Sequence, residues 1–209
     1  MDIRRSLPIN RFILKPLLFI ILAQAAIDLG LGIYLADLGP DAHETLLHST
    51  GEWGLIAMMV TLSISPLMKL LRWPLLTIQR RMAGLFVAFY ATFHILVFLQ
   101  YFLGWDWSMI IDEVIERPYI TIGFLAWLML LPLAVTSNNF SMRKLGRRWK
   151  KLHWLSYPIA VLIVWHFYWQ VKLDLLEPIL YIVLLAVLLL WRARKRLKIK
   201  PFSSPQKQH

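Results

Sequence analysis

Six apolar runs, each close to twenty residues long, constrain this chain more than any other feature. They lie at about 15–36, 52–71, 82–103, 119–137, 152–171 and 175–192, and runs of that length suit helices crossing a hydrocarbon core of about 30 Å. Backbone polar groups in lipid must bond within their own segment or a closed barrel. The expected fold class is therefore all-α, a polytopic membrane protein with six transmembrane helices.

Charge sorts cleanly between the runs. The first, third and fifth loops carry only Arg117 and Lys172 as basic residues, while Asp37, Asp41, Glu44, Glu52, Asp106, Asp112, Glu113, Glu116, Asp174 and Glu177 occupy or border them. Arg72, Arg80, Arg81, the segment from Arg143 to Lys151 and the segment from Arg192 to Lys200 sit in or beside the even loops and the tails. By the positive-inside rule both termini face the cytoplasm. One misplaced span would interchange the two sides downstream, so the sorting supports all six together. The expected organisation is a cytoplasmic tail over 1–14, a membrane domain over 15–192 and a basic, disordered cytoplasmic tail over 193–209. Ala23-Gln24-Ala25 imitates a signal-peptidase site, but the apolar run continues past it to Ala36 and makes a full span.

The net charge of +11 does not point to nucleic acid, because the basic residues are divided among membrane-flanking segments and share no face of a soluble domain. Cysteine is absent, which excludes disulfides, thiolate zinc sites, iron–sulfur clusters and covalent c-type haem attachment. A metal must be held by His, carboxylate, Met or Tyr. No G-x-G-x-x-G motif follows a strand, and no segment is long enough for a soluble flavin or nicotinamide domain.

Three histidines fall inside apolar runs, where an imidazole must pair, bond or bind a metal. With a rise of about 1.5 Å per residue, His94 stands about 18 Å above the start of the third run and His166 about 21 Å above the start of the fifth. These two share a level in the outer half. His153, at the cytoplasmic start of the fifth run, is about 20 Å lower. A haem between two helices needs two axial imidazoles at one height, which His94 and His166 can supply; the alternative is a pair of buried histidines hydrogen-bonded to carbonyls or lining an aqueous cavity. His153 is either a solvated interfacial residue or the ligand of a second haem whose opposite ligand is not obvious. Thirteen residues of ideal helix turn His153 and His166 about 140° apart, with Pro158 between them able to alter the winding.

The other polar residues are less pointed. His43 reads as a solvated loop residue and His209 as tail. His48 is either a helix N-terminal feature or part of an outer docking surface, and Asp28 either reaches the outer interface or has a buried polar role. Trp105, Trp107, Trp149 and Trp154 match interfacial aromatic belts. The segment RKLGRRWKKLH attracts anionic lipid or docks an acidic electron donor or a flavin phosphate.

The segments RWPLLTIQRRMAGLFVAFYATFH (72–94), RPYITIGFLAW (117–127), RKLGRRWKKLHWLSY (143–157), HFYWQVK (166–172) and PILYIVLLAVLLLWR (178–192) resemble, in order and spacing, the MsrQ (YedZ) family. These are haem-binding membrane subunits of the bacterial MsrPQ methionine sulfoxide reductase system, related to the membrane domain of ferric reductases and NADPH oxidases. The first helix matches poorly. The resemblance implies a six-helix haem b protein of the cell inner membrane with haem ligands at His94, His153 and His166 and one or two haems. It also implies FMN as a possible cofactor, quinone or a cytosolic flavin reductase as electron donor, and a periplasmic molybdopterin enzyme, MsrP, as acceptor. No organic-substrate catalytic residues are expected. The competing expectations are a transmembrane ferric-chelate or oxygen reductase component and a proton-coupled transporter using Asp28 and the histidines.

Overall fold

The structure is a computed structural model that describes residues 9–171 and 175–197, with side chains over 12–171 and 175–194. His209, Lys172, Asp174 and the greater part of both expected tails lie outside the described residues. Within them the chain is helical throughout, with no strand. Nine α-helices follow one another: α1 Lys15–Leu35, α2 Ala42–Leu70, α3 Thr77–Val97, α4 Trp107–Glu116, α5 Pro118–Val135, α6 Asn139–Leu145, α7 Arg147–Leu152, α8 Ser156–Gln170 and α9 Leu176–Leu197.

Among the described residues five segments are long and apolar enough to cross a membrane: Phe12–Leu35, Ala42–Leu70, Pro74–Phe102, Pro118–Val135 and Leu176–Arg194. Their outward surface is the signature of a lipid-facing bundle, with Ile20, Leu180 and Leu190 each 60% exposed or slightly more. The chain is thus a multi-pass membrane protein. The expected fifth span is built differently. Over 152–171 the chain passes from α7 through a 3₁₀ turn, His153–Leu155, into α8, which has only 15 residues, about 22 Å of rise. Pro158 falls in the first turn of α8, where a missing N–H costs no hydrogen bond. It therefore starts a helix rather than kinking one.

Two other differences matter below. Helix α2 begins about ten residues before its apolar run, because AHETLLHSTG places Leu46 and Thr50 on one buried stripe that average hydrophobicity overlooks. The third loop forms α4, capped by Asp106, whose Oδ1 accepts from the Ser108 N–H at 2.8 Å.

Helices α2 and α3 pack along each other, as do α5 and α8, and these are the two closest partnerships in the bundle. Leu62, Ala83, Val87, Ile159 and Ala160 form the shared core. Two side chains repair the backbone within it. Pro66 in α2 has no N–H to give the Leu62 carbonyl, and Arg192 Nη2 of α9 donates to that carbonyl at 2.7 Å. The fully buried Tyr90 hydroxyl of α3 donates to Leu22 O at 2.5 Å and accepts from Ala26 N–H at 3.2 Å. It thereby bridges one rung of the α1 ladder.

Candidate haem-ligating site

Imidazole ligates a metal through one ring nitrogen, and the other almost always donates to a carbonyl, carboxylate or water that fixes the ring. On α3, His94 Nδ1 lies 3.0 Å from the carbonyl of Leu47 and 3.4 Å from Thr50 Oγ1. On α8, His166 Nδ1 lies 2.7 Å from the carbonyl of Tyr119. Each carbonyl belongs to the helix against which the histidine's own helix packs most closely. In each case an Nδ1–H donated to a carbonyl fixes the tautomer and leaves the Nε2 lone pair as the ligating atom.

Glycine makes both contacts possible. A Cβ at Gly51 would lie 3.1 Å from His94 Cε1, and a Cβ at Gly123 would lie 2.9 Å from both Cε1 and Nδ1 of His166. Gly51 is four residues after Leu47, and Gly123 four residues after Tyr119. One device therefore occurs twice: an imidazole lies over a glycine and bonds the carbonyl one helical turn before it.

The two rings meet across the bundle with centroids 6.2 Å apart and planes at 83°. Two metal–nitrogen bonds of about 2.0 Å, extended by about 1.1 Å to each ring centre, predict a centroid separation of about 6.2 Å. Near-perpendicular planes are compatible with shared ligation, since each ring rotates about its own metal–nitrogen bond. Among the described residues no group of three His, Asp or Glu side chains is placed to hold a bare ion. Two opposed imidazoles suit a metal that brings its own equatorial donors, as haem iron does.

His153 is not brought to this pair. Its ring stacks on Trp149 at 3.8 Å between centroids, its Nδ1 lies 3.1 Å from the Trp149 carbonyl and its Nε2 lies 3.3 Å from Ser137 Oγ. Thirteen and fourteen residues before His94, where α3 passes the level of His153, the chain carries Arg81 and Arg80. Arg81 Nη1 donates to Asn139 Oδ1 at 2.5 Å. His43 stacks on Tyr101 at 4.2 Å, and His48 pairs with Glu44 at 3.5 Å on an exposed turn. Asp28 is exposed on α1, which favours the outer-interface reading over a buried role.

Sequence reasoning missed Leu47, Thr50, Gly51, Tyr119 and Gly123. The available signal was a glycine in the N-terminal half of each partner helix, at the height of a histidine.

This site and fold define a class. Residues 50–164 match the family described as ferric reductase like transmembrane component. The chain is 48% identical over 163 residues to the "Protein-methionine-sulfoxide reductase heme-binding subunit MsrQ" of Xanthomonas oryzae pv. oryzae, covering 78% of this chain and 75% of that protein. It is 44% identical over 151 residues to the protein of that name from Bordetella pertussis, covering 71% and 73%. No solved structure matches. The chain belongs to the MsrQ haem-binding subunits, within the ferric-reductase-like membrane proteins.

Proposed function

We propose that this protein is a haem b electron conduit of the bacterial inner membrane, with six spans, α7–α8 forming the fifth, and both termini cytoplasmic. The observation behind this reading is the opposed pair His94 and His166, each with Nδ1 on a neighbouring helix's carbonyl. Haem bound there supplies one-electron, outer-sphere transfer and needs no open substrate position. The protein's share is to fix ring orientation through Leu47 O and Tyr119 O, and to surround the site with apolar side chains that exclude water.

Electrons enter at the basic end, from quinone or a cytosolic flavin reductase, with FMN as a possible intermediary. They leave at the acidic end for a periplasmic MsrP-like molybdopterin enzyme that reduces methionine sulfoxide in oxidised proteins. Were a second haem loaded, His153 would be its inner ligand, exchanging its 3.3 Å contact with Ser137 for iron. The test is a redox-difference spectrum of the purified protein, with haem quantified per chain, for wild type, His94→Ala and His166→Ala. Each variant is expected to lose the low-spin bis-imidazole signal; a normal spectrum in both overturns the assignment.

The family match favours one second reading, direct reduction of a ferric chelate or oxygen. Reduction of either by the haem-loaded protein without the molybdoenzyme, at a rate matching electron entry, would establish it.

A further inference from the structure

Residues 103–117 separate the span that ends at Phe102 from the span that begins at Pro118. Two consecutive spans leave and re-enter a bilayer at the same face, so this segment lies at one membrane boundary. Helix α4 takes up 10 of its residues, about 15 Å of rise. Neither end of α4 stands far from the bilayer. At the first, the chain folds back tightly, with the Trp105 N–H on the Leu99 carbonyl at 3.1 Å and the Asp106 N–H on that of Leu103 at 2.9 Å. At the second, Arg117 alone joins α4 to α5, and the Thr121 hydroxyl of α5 donates to the Val114 carbonyl. A helix tied at both ends to span termini runs along the membrane boundary rather than out from it.

The sequence of α4 is sorted around its axis. At about 100° per residue, Trp107, Ile110, Ile111, Val114 and Ile115 fall within one arc of about 140°, while Ser108, Asp112, Glu113 and Glu116 fall within the opposite one beside Met109. Ile110 and Val114 are half-buried, α5 being the main packing partner of α4. The rest of the apolar arc is open: Trp107 is 74% and Ile115 73% exposed, with Ile111 exposed between them. These three recur every fourth residue and make a stripe about 12 Å long. It continues an exposed apolar surface that begins at the end of the preceding span, with Tyr101, Phe102 and Trp105. Helix α4 carries no Lys or Arg, and Arg117 at its end pairs with Glu113 at 3.0 Å, so charge gives it no hold on anionic headgroups. Its grip on a bilayer is the stripe alone.

An amphipathic helix confined to a bilayer boundary is most stable with its apolar arc toward the acyl chains and its charged arc in water. We infer that α4 is an interfacial helix, with the stripe Trp107, Ile111 and Ile115 seated among acyl chains just below the headgroups and Asp112 and Glu116 facing water. The occupant of its open face is lipid. The inference holds on either side of the membrane and does not rest on the haem reading.

The chain has no cysteine, so a single introduced cysteine carries a nitroxide label by itself. The full chain is placed in phosphatidylcholine nanodiscs, a neutral lipid being sufficient where no charge is needed, and labelled in turn at Ile111→Cys, Ile115→Cys, Asp112→Cys and Glu116→Cys. Collisions of the label are read with oxygen, which concentrates in lipid, and with a nickel chelate, which stays in water. Leu180→Cys, one turn into α9 on its exposed surface, gives a shallow lipid reference. The ratio of oxygen to nickel collisions at Ile111→Cys and Ile115→Cys is expected to approach that reference and to exceed the ratio at Asp112→Cys and Glu116→Cys several-fold. Two stripe variants keep the measurement decisive if one of them misfolds. Stripe ratios no higher than those of the two acidic positions overturn the inference. Few collisions with either reagent at the stripe overturn it too, because a second copy of the chain would then cover that face.

Discussion

The levels of His166 and His153, the outer and inner levels of the proposed topology, both contain half-buried histidine on the α7–α8 segment, yet only one level is arranged as a ligand pair. At the outer level His166 meets His94 at 6.2 Å, each ring lies over a glycine, and each Nδ1 is held by a carbonyl of another helix. At the inner level His153 bonds the carbonyl of Trp149, four residues earlier in its own segment, and spends Nε2 on Ser137. Its counterpart on α3 is arginine. The difference teaches that, in the proposed haem site, capacity to ligate depends less on the histidine than on the surface it rests on. A glycine and a carbonyl one turn earlier aim the ring into the bundle, whereas a stacked indole and a local carbonyl keep it at the rim.

The glycines are the sharpest way to break that contrast. Gly123→Ala puts a methyl 2.9 Å from two atoms of His166, a distance that forces the ring or helix to shift. Overpacking of this kind costs about 1–3 kcal/mol, so haem affinity should fall about tenfold or more. Gly51→Ala, at 3.1 Å from His94, should cost less, about threefold to tenfold. Gly84→Ala is the control, since its Cβ would meet only Thr61 Cγ2 at 3.9 Å and the helix gains propensity. Haem titration of the three variants, with thermal stability alongside, checks the order. Equal haem affinity in all three would remove the glycines from the argument.

A smaller effect separates scaffold from ligand. Tyr90→Phe removes the hydroxyl that bridges Leu22 O and Ala26 N–H, one helical turn before His94. The expected loss is about 1–2 kcal/mol of stability, read as a lower unfolding temperature, with the haem spectrum unchanged. A change in spectrum at constant stability would instead make Tyr90 part of the site.

Much of this was legible in the sequence, and the limits have physical causes. The length of the apolar runs gave the helical membrane class, and a constant rise per residue put His94 and His166 at one level before any coordinates. Azimuth was less accessible, because it depends on how neighbouring helices rotate against each other. The glycine–carbonyl cradle was hidden for a related reason. Leu47 and Gly51 lie on a polar-looking extension of α2 beyond its apolar run, held helical by the buried Leu46 and Thr50. The break before α8 is half-visible in the sequence: Pro158 marks a change of winding, but its place in a first turn follows only once the 3₁₀ turn His153–Leu155 is known.

The smallest effect on the outer site is expected from His153→Ala, and it bears most directly on the contrast between levels. Removing the ring ends the stack on Trp149 and the 3.3 Å contact with Ser137 Oγ, while Trp149 Nε1 keeps its bond to the Thr136 carbonyl at 2.9 Å. Ser137 Oγ also keeps the Leu133 carbonyl as acceptor at 2.7 Å. No orphaned buried donor results, and the helix connection survives. The outer pair should therefore retain its low-spin spectrum and midpoint potential, with haem per chain close to wild type. A drop to half the haem, with the remaining signal unchanged, would show that His153 turns from Ser137 to a second iron. The two levels would then differ in cofactor loading rather than in their capacity to ligate, and the search for the opposing inner ligand would begin at the α3 residues beside Arg80.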